Sequence, residues 1–176
     1  MFADATERVM HEMPYGLYII GSREAEDGAR VNGMMADWVM QVSFEPRLVA
    51  VSFENNSHTL GNVRAHGHFT VNLLAQDEPS MELARAFAQP FSGAKVQGRK
   101  TAEATKVHYK LEGQDYGLTD HGCPVLGAAM GWFECEAQDF LAIGDHTVVI
   151  AQVLAGRVER EAEPMTSAYT GWTYSG

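Results

Sequence analysis

The chain has 176 residues, 45% hydrophobic and 20% charged, which fits one folded domain with a substantial core and excludes wholesale disorder. Its formal net charge is -10 with 13 Lys and Arg, a balance that argues against nucleic acid and against docking on anionic lipid. Any phosphate site must therefore be built from local donors, and no apolar run approaches the ~20 residues of a membrane span. From the N-terminus, MFADATERVMHEM lacks a basic leader followed by an apolar stretch, so the cytosol is the default expectation. Within it ATERVMHEM reads as a short helix, with Asp4 or Thr6 near its start. YGLYIIGS (15–22) is β-branched and aromatic, hence a strand, and REAEDGARVNG (23–33) is a charged hairpin loop turning at Asp27-Gly28. MMADWVMQVSF (34–44) alternates poorly and reads as a strand that breaks or bulges and resumes before Glu45-Pro46.

RLVAVSFE (47–54) is a clear strand. A polar cluster follows, then a short helix closed by Gly67, then a strand over HFTVNLLA (68–75). PSMELARAFAQP (79–90) has a helical apolar face of Met81, Leu83, Ala84, Phe87 and Ala88, with Pro90 at its end. FSGAKVQGRKTAEAT (91–105) is a Gly- and Lys/Arg-containing loop, and VHYKLE (107–112) alternates as a strand. GCPVLG (122–127) leads into a strand over AAMGWFECEAQ (128–138), and HTVVIAQVLAGRVER (146–160) is the last. Cys123 and Cys135 form no CxxC, so no metal site or disulfide framework is expected and both read as buried small hydrophobes. The sum is about seven strands and three short helices, a mainly β chain built as an antiparallel barrel or sandwich. The long crossover helices of a parallel sheet and the Rossmann glycine pattern are both missing.

Three stretches carry chemistry. In FENNSHTLGNVR (53–64), Ser57 is an N-cap, and the N–H groups of His58, Thr59 and Leu60 lack intrahelical partners. A helix start carries roughly half a positive charge, so this turn is either an ordinary cap or a seat for a phosphate monoester. In NGMMADWVMQVSFEP, the run Ala36 to Gln41 turns some backbone N–H groups outward beside Trp38. That arrangement either holds a flat ring or is a bulge with Trp38 in the core. In IGDHTVVIAQV, Gly144-Asp145 is a turn and His146 stands at a strand mouth, as a plain turn residue or beside a pocket.

Together, YGLYIIGS, NGMMADWVMQVSFEPRLVAVSFENNSHT, GHFTVNLLAQDE, FSGAKVQG and AIGDHTVVIAQV resemble the flavin reductase-like FMN-binding split-barrel family. They do so in family order over about residues 14 to 158, closest to flavoredoxin and the flavin domain of NADH-rubredoxin reductases. The resemblance implies a split β-barrel and an FMN-dependent NAD(P)H:flavin oxidoreductase. It implies that Ser57 and Thr59, with Asn55 nearby, bind the FMN phosphate, and that Lys95 reaches it. It implies that Ala36, Asp37, Trp38, Val39, Met40 and Gln41 cradle the ring through backbone amides. His146, of Gly-Asp-His, falls beside the face where nicotinamide docks, as the catalytic candidate. The resemblance also implies a homodimer with flavin near the interface.

Two positions depart from the family, which often has Asn or Ser at Asp37 and Thr or Ser at Met40. A carboxylate about 5 Å from an anionic reduced ring costs ~3 kcal/mol at an effective dielectric near 20, so Asp37 is expected to make flavin harder to reduce. Rival readings are a flavoredoxin-like carrier reduced by another protein and a flavinless binding module. With no iron-ligating cysteines here, a carrier would need a separate partner protein, and the final acceptor stays open among free FMN, FAD, iron chelates and a monooxygenase or electron-carrier partner. The sequence does not choose between NADH and NADPH, since Arg99 and Lys100 stand out by charge alone.

Overall fold

The computed structural model describes residues 4–25, 27–88 and 109–172. Helix α1 (Ala5–His11) is capped by Asp4, whose side chain accepts from the Glu7 N–H. Strands β1 (Tyr18–Arg23), β2 (Val31–Ala36), β3 (Val39–Ser43) and β4 (Leu48–Glu54) follow. Helix α2 (His58–His66) is closed by Gly67 at φ 74, a left-handed cap that favours glycine. Strand β5 (His68–Leu73), helix α3 (Glu78–Phe87), strands β6 (Tyr116–Leu118), β7 (Pro124–Leu126), β8 (Gly131–Ile143) and β9 (His146–Val158), and helix α4 (Ser167–Thr170) complete the order.

Seven strands form one antiparallel sheet in the order β2-β1-β5-β8-β9-β4-β3. The edge strands β2 and β3 are consecutive in sequence and separated only by Asp37 and Trp38. The sheet therefore curls on itself with its seam between β2 and β3; the break within residues 34–44 is as expected from their poor alternation. Alternation fixes which face looks inward. In β4, Val49, Val51 and Phe53 are buried while Leu48, Ala50, Ser52 and Glu54 are only partly so. The inner residues join Ile20, Phe69, Val71, Cys135 and Val149 in the barrel core, where Phe53 and Phe69 meet edge to face. A second apolar cluster forms where Leu83, Ala84 and Phe87 of α3 meet Leu17, Ile19 and Met165.

Both cysteines are buried and free. Burial, with the Glu134 carboxylate adding to it, pushes the Cys123 thiol up to about 12 and raises that of Cys135 as well.

The strand expected over 107–112 is not formed: residues 110–113 make a turn, and 107 and 108 lie outside the described residues. Gly113 takes φ 79 there, Lys110 Nζ donates to the Phe87 carbonyl, and Leu111 is buried in the second cluster. The alternation of that stretch is a turn pinned over α3. The β6–β7 hairpin and α4 had no strong periodicity and were not anticipated. β7 is held non-locally: Asn72 Oδ1 accepts from the Leu126 N–H, and its Nδ2 donates to the carbonyls of Ile19 and Pro124.

Candidate functional site

The seam creates the site. At Asp37-Trp38 the chain leaves β2 and enters β3, and an open pocket of about 420 Å³ forms there. Its wall is Asp37, Trp38, Val39 and Met40 from the break, Ala50 and Ser52 from β4, Val148 from β9, and Pro14, Tyr15 and Gly16. Ser52 pairs with Val148 and Ala50 with Met40, so these residues share the outer face of the sheet, opposite the core. β3 is an edge strand, so its outward backbone groups meet no further strand of this sheet. Trp38 is 38% exposed and lines the pocket, which settles the alternative of a core tryptophan against it.

His146 opens β9 on the same face as Val148 and is 7% exposed. Its ring lies against Trp38, centroids 4.9 Å apart, and the Tyr15 ring centroid lies 6.5 Å from that of Trp38. His146 Nδ1 is 2.6 Å from Asp145 Oδ1, and the hydrogen bond from His146 holds the Asp145 carboxyl below its usual range. That contact orients the imidazole. The Gly144-Asp145 turn forms as expected, with Gly144 at φ 53.

The polar corner sits directly on this turn. The Asn55 N–H donates to the Asp145 carbonyl (2.9 Å) and its Nδ2 to the Gly144 carbonyl (3.2 Å). Its Oδ1 accepts from the Thr147 hydroxyl (2.8 Å). Ser57 caps α2, its Oγ accepting from the Leu60 N–H and lying 3.4 Å from Met34 Sδ of β2. His58, Thr59 and Leu60 are thus the first three helical residues, with Thr59 4% exposed.

Of the residues singled out from sequence, Asp37, Trp38, Val39 and Met40 line the pocket, and His146 packs on Trp38. Asn55, Ser57 and Thr59 form the adjoining corner. Ala36 is buried at the end of β2, opposite Tyr18. Gln41 is on β3 with its amide donating to the Ser43 carbonyl. Lys95 lies outside the described residues, as do Arg99 and Lys100. Sequence reading missed Pro14, Tyr15, Gly16, Ala50, Ser52 and Val148. Tyr15 is held through the chain's other end, its N–H donating to Ser167 Oγ (3.0 Å) and its carbonyl accepting from the Ser167 N–H (2.8 Å). Nothing local in the sequence signals that pairing.

Comparison with known proteins decides the family. The flavin reductase like domain matches residues 10–174. The chain belongs to that family. The split-barrel reading of the fold stands with the membership. A high molecular weight rubredoxin of Moorella thermoacetica is 31% identical over 163 residues, 92% of this chain and 64% of the relative. A probable flavin reductase of Rhizobium meliloti is 28% identical over 123 residues, 70% of this chain and 34% of the relative. The chain thus spans less than two thirds of the length of these relatives. The NADH:FAD oxidoreductase SgcE6 of Streptomyces globisporus, solved with NAD and FAD fragments, superposes with a TM-score of 0.73. It is 22% identical, covers 94% of this chain and 91% of its own, and shares the fold. Among the described residues no helix is long and apolar enough to cross a membrane, and no group of three or more His, Cys, Asp or Glu could hold a metal.

Proposed function

We propose that this chain is an FMN-dependent NAD(P)H:flavin oxidoreductase whose product electrons go to free flavin or to a partner protein. The observation that carries the reading is the triple hydrogen bonding of Asn55 to residues 144, 145 and 147. It joins a helix-start anion seat to the turn that holds His146 against Trp38. A largely apolar pocket lined by Trp38 and Tyr15 and a cluster of small polar donors, side by side, fit a ring and its phosphate respectively.

When bound, FMN would supply hydride acceptance at its ring. The chain's residues bind and orient. Ser57 and the first-turn N–H groups of α2 would hold the phosphate, with Thr59 behind them and Lys95 as a further cation. Trp38, Val39, Met40 and Gln41 would border the ring with backbone groups, with Ala36 and Asp37 at the edge of β2. His146, steadied by Asp145, would help position nicotinamide. No nucleophile is required of the protein. The choice of mononucleotide rests on the family resemblance and on this single phosphate seat.

A homodimer belongs to the same reading. Edge strand β3 carries Met40 and Val42, and Phe44 follows in the next turn; they are 63%, 43% and 85% exposed, which is apolar surface that a second copy would cover. Two measurements test the whole: equilibrium titration with FMN, and NAD(P)H oxidation with FMN present. Saturable binding and flavin-dependent oxidation support the reductase. Binding without oxidation would favour the carrier, and no binding the flavinless module.

A further inference from the structure

Helix α2 is gripped along one face by the end of β1. His58, Asn62 and His66 are spaced four apart, so they share one side of the helix. Each of them meets the segment Ser22–Ala25. Asn62 Oδ1 accepts from the Ala25 N–H (2.9 Å), and its Nδ2 donates to Ser22 Oγ (3.1 Å). His66 Nε2 lies 2.9 Å from the Glu24 carbonyl oxygen. His58 Nε2 lies 2.5 Å from Glu24 Oε2.

The last contact is unlike the others. The Glu24 side chain is 8% exposed, and its second oxygen, Oε1, is buried without a hydrogen-bond partner. A buried carboxylate with one oxygen unmatched costs stability rather than adding it. The backbone contacts of Glu24 and those of Asn62 and His66 already fasten the loop to the helix. What the carboxylate alone supplies is a fixed partner for the residue that follows Ser57, at the first helical position. Among the described residues the first turn of α2 contains neither Lys nor Arg, so small displacements of its N–H groups are not covered by a long cationic side chain from that turn.

We propose that Glu24 is a positioning residue for the phosphate end of α2, acting through His58. The inference rests on the FMN reading above and deepens it. Glu24 holds His58, and His58 fixes the orientation of the turn that presents Ser57 Oγ and the first-turn amides. Its contribution is therefore specific to ligands that carry a phosphate.

Calorimetric titration of the full chain with FMN and with riboflavin, which keeps the ring and lacks the phosphate, tests this. The wild-type protein is expected to prefer FMN. E24A is expected to lose roughly tenfold in FMN affinity with riboflavin affinity unchanged, the scale of one lost charged hydrogen bond. E24Q keeps an oxygen that accepts from Nε2–H and is expected to recover most of the preference. H58A, which opens the pair from its more exposed side, gives the same reading should E24A fail to fold. E24A and H58A should be non-additive when combined. An unchanged FMN-to-riboflavin ratio in the variants, or a parallel loss of both ligands, overturns the role of Glu24 while leaving the function standing. A wild-type protein that binds both ligands equally removes the phosphate seat itself, and this proposal with it.

Discussion

The indole of Trp38 rests against the imidazole of His146, ring centroids 4.9 Å apart and planes inclined by 39°. These residues are far apart in the chain, and their contact bridges the β2–β3 break to the β8–β9 turn. Asp145 holds the far side of the imidazole through Nδ1. In the reductase reading this pair flanks the place where a reduced nicotinamide approaches. His146→Ala should keep FMN affinity within about threefold and slow hydride transfer by roughly tenfold or more, because misplacement of reacting atoms is costly. Rapid-mixing kinetics at saturating NAD(P)H measure this, and an unaltered rate would remove His146 from the mechanism.

Asp37 lines the pocket at the seam, where the family often has an uncharged residue. A carboxylate there opposes the gain of negative charge on a reduced ring. Asp37→Asn should therefore raise the midpoint potential of bound FMN. Spectroelectrochemical titration of both proteins decides, and an equal or lower potential in the variant counts against a charge effect.

Gly61 sits inside α2, with open space where a Cβ would project. Alanine there restricts the unfolded chain and favours the helix. Gly61→Ala should stabilise the protein by about 0.5–1 kcal/mol in urea unfolding, without altering its pocket. A lowered urea midpoint would mean that α2 needs glycine for a reason not visible in its packing.

Asp77 caps α3 through Ser80 and pairs with Arg160 at 2.6 Å. Burial pushes its carboxyl up, but the hydrogen bonds from Ser80 and Arg160 outweigh that and hold it below its usual range. A carboxyl lowered in the folded state contributes stability above its unfolded pKa, and that contribution is lost as pH falls through the folded value. Asp77→Asn should be less stable than wild type near neutral pH, by no more than about 1 kcal/mol for so open a pair. The gap should close as the solution is acidified through the carboxylate range. Urea midpoints across pH follow it, and a gap that is constant with pH would show that ionisation of Asp77 is not its cause.

Much of the site was legible because it depends on local chemistry. The Ser57 cap, the Gly67 stop and the Gly144-Asp145 turn each follow from what a few adjacent residues can do. The broken alternation at 36–41 signalled a break or bulge, although not that its two sides are the opposite edges of one sheet. What could not be read was non-local. Tyr15 reaches the pocket because Ser167 holds it from the other end of the chain, and Asn55 binds a turn some ninety residues away. The 107–112 stretch misled because alternation also arises in a turn whose Leu111 and Lys110 both anchor to the α3 region.

The central claim is that one pocket at the seam presents flavin to reduced nicotinamide. Mixing the FMN-loaded protein with NADH, and separately with NADPH, in the absence of oxygen tests it most directly. The account predicts that at least one nucleotide bleaches the visible flavin absorbance in a rapid, saturable phase. A bound flavin that stays oxidised with both would contradict it.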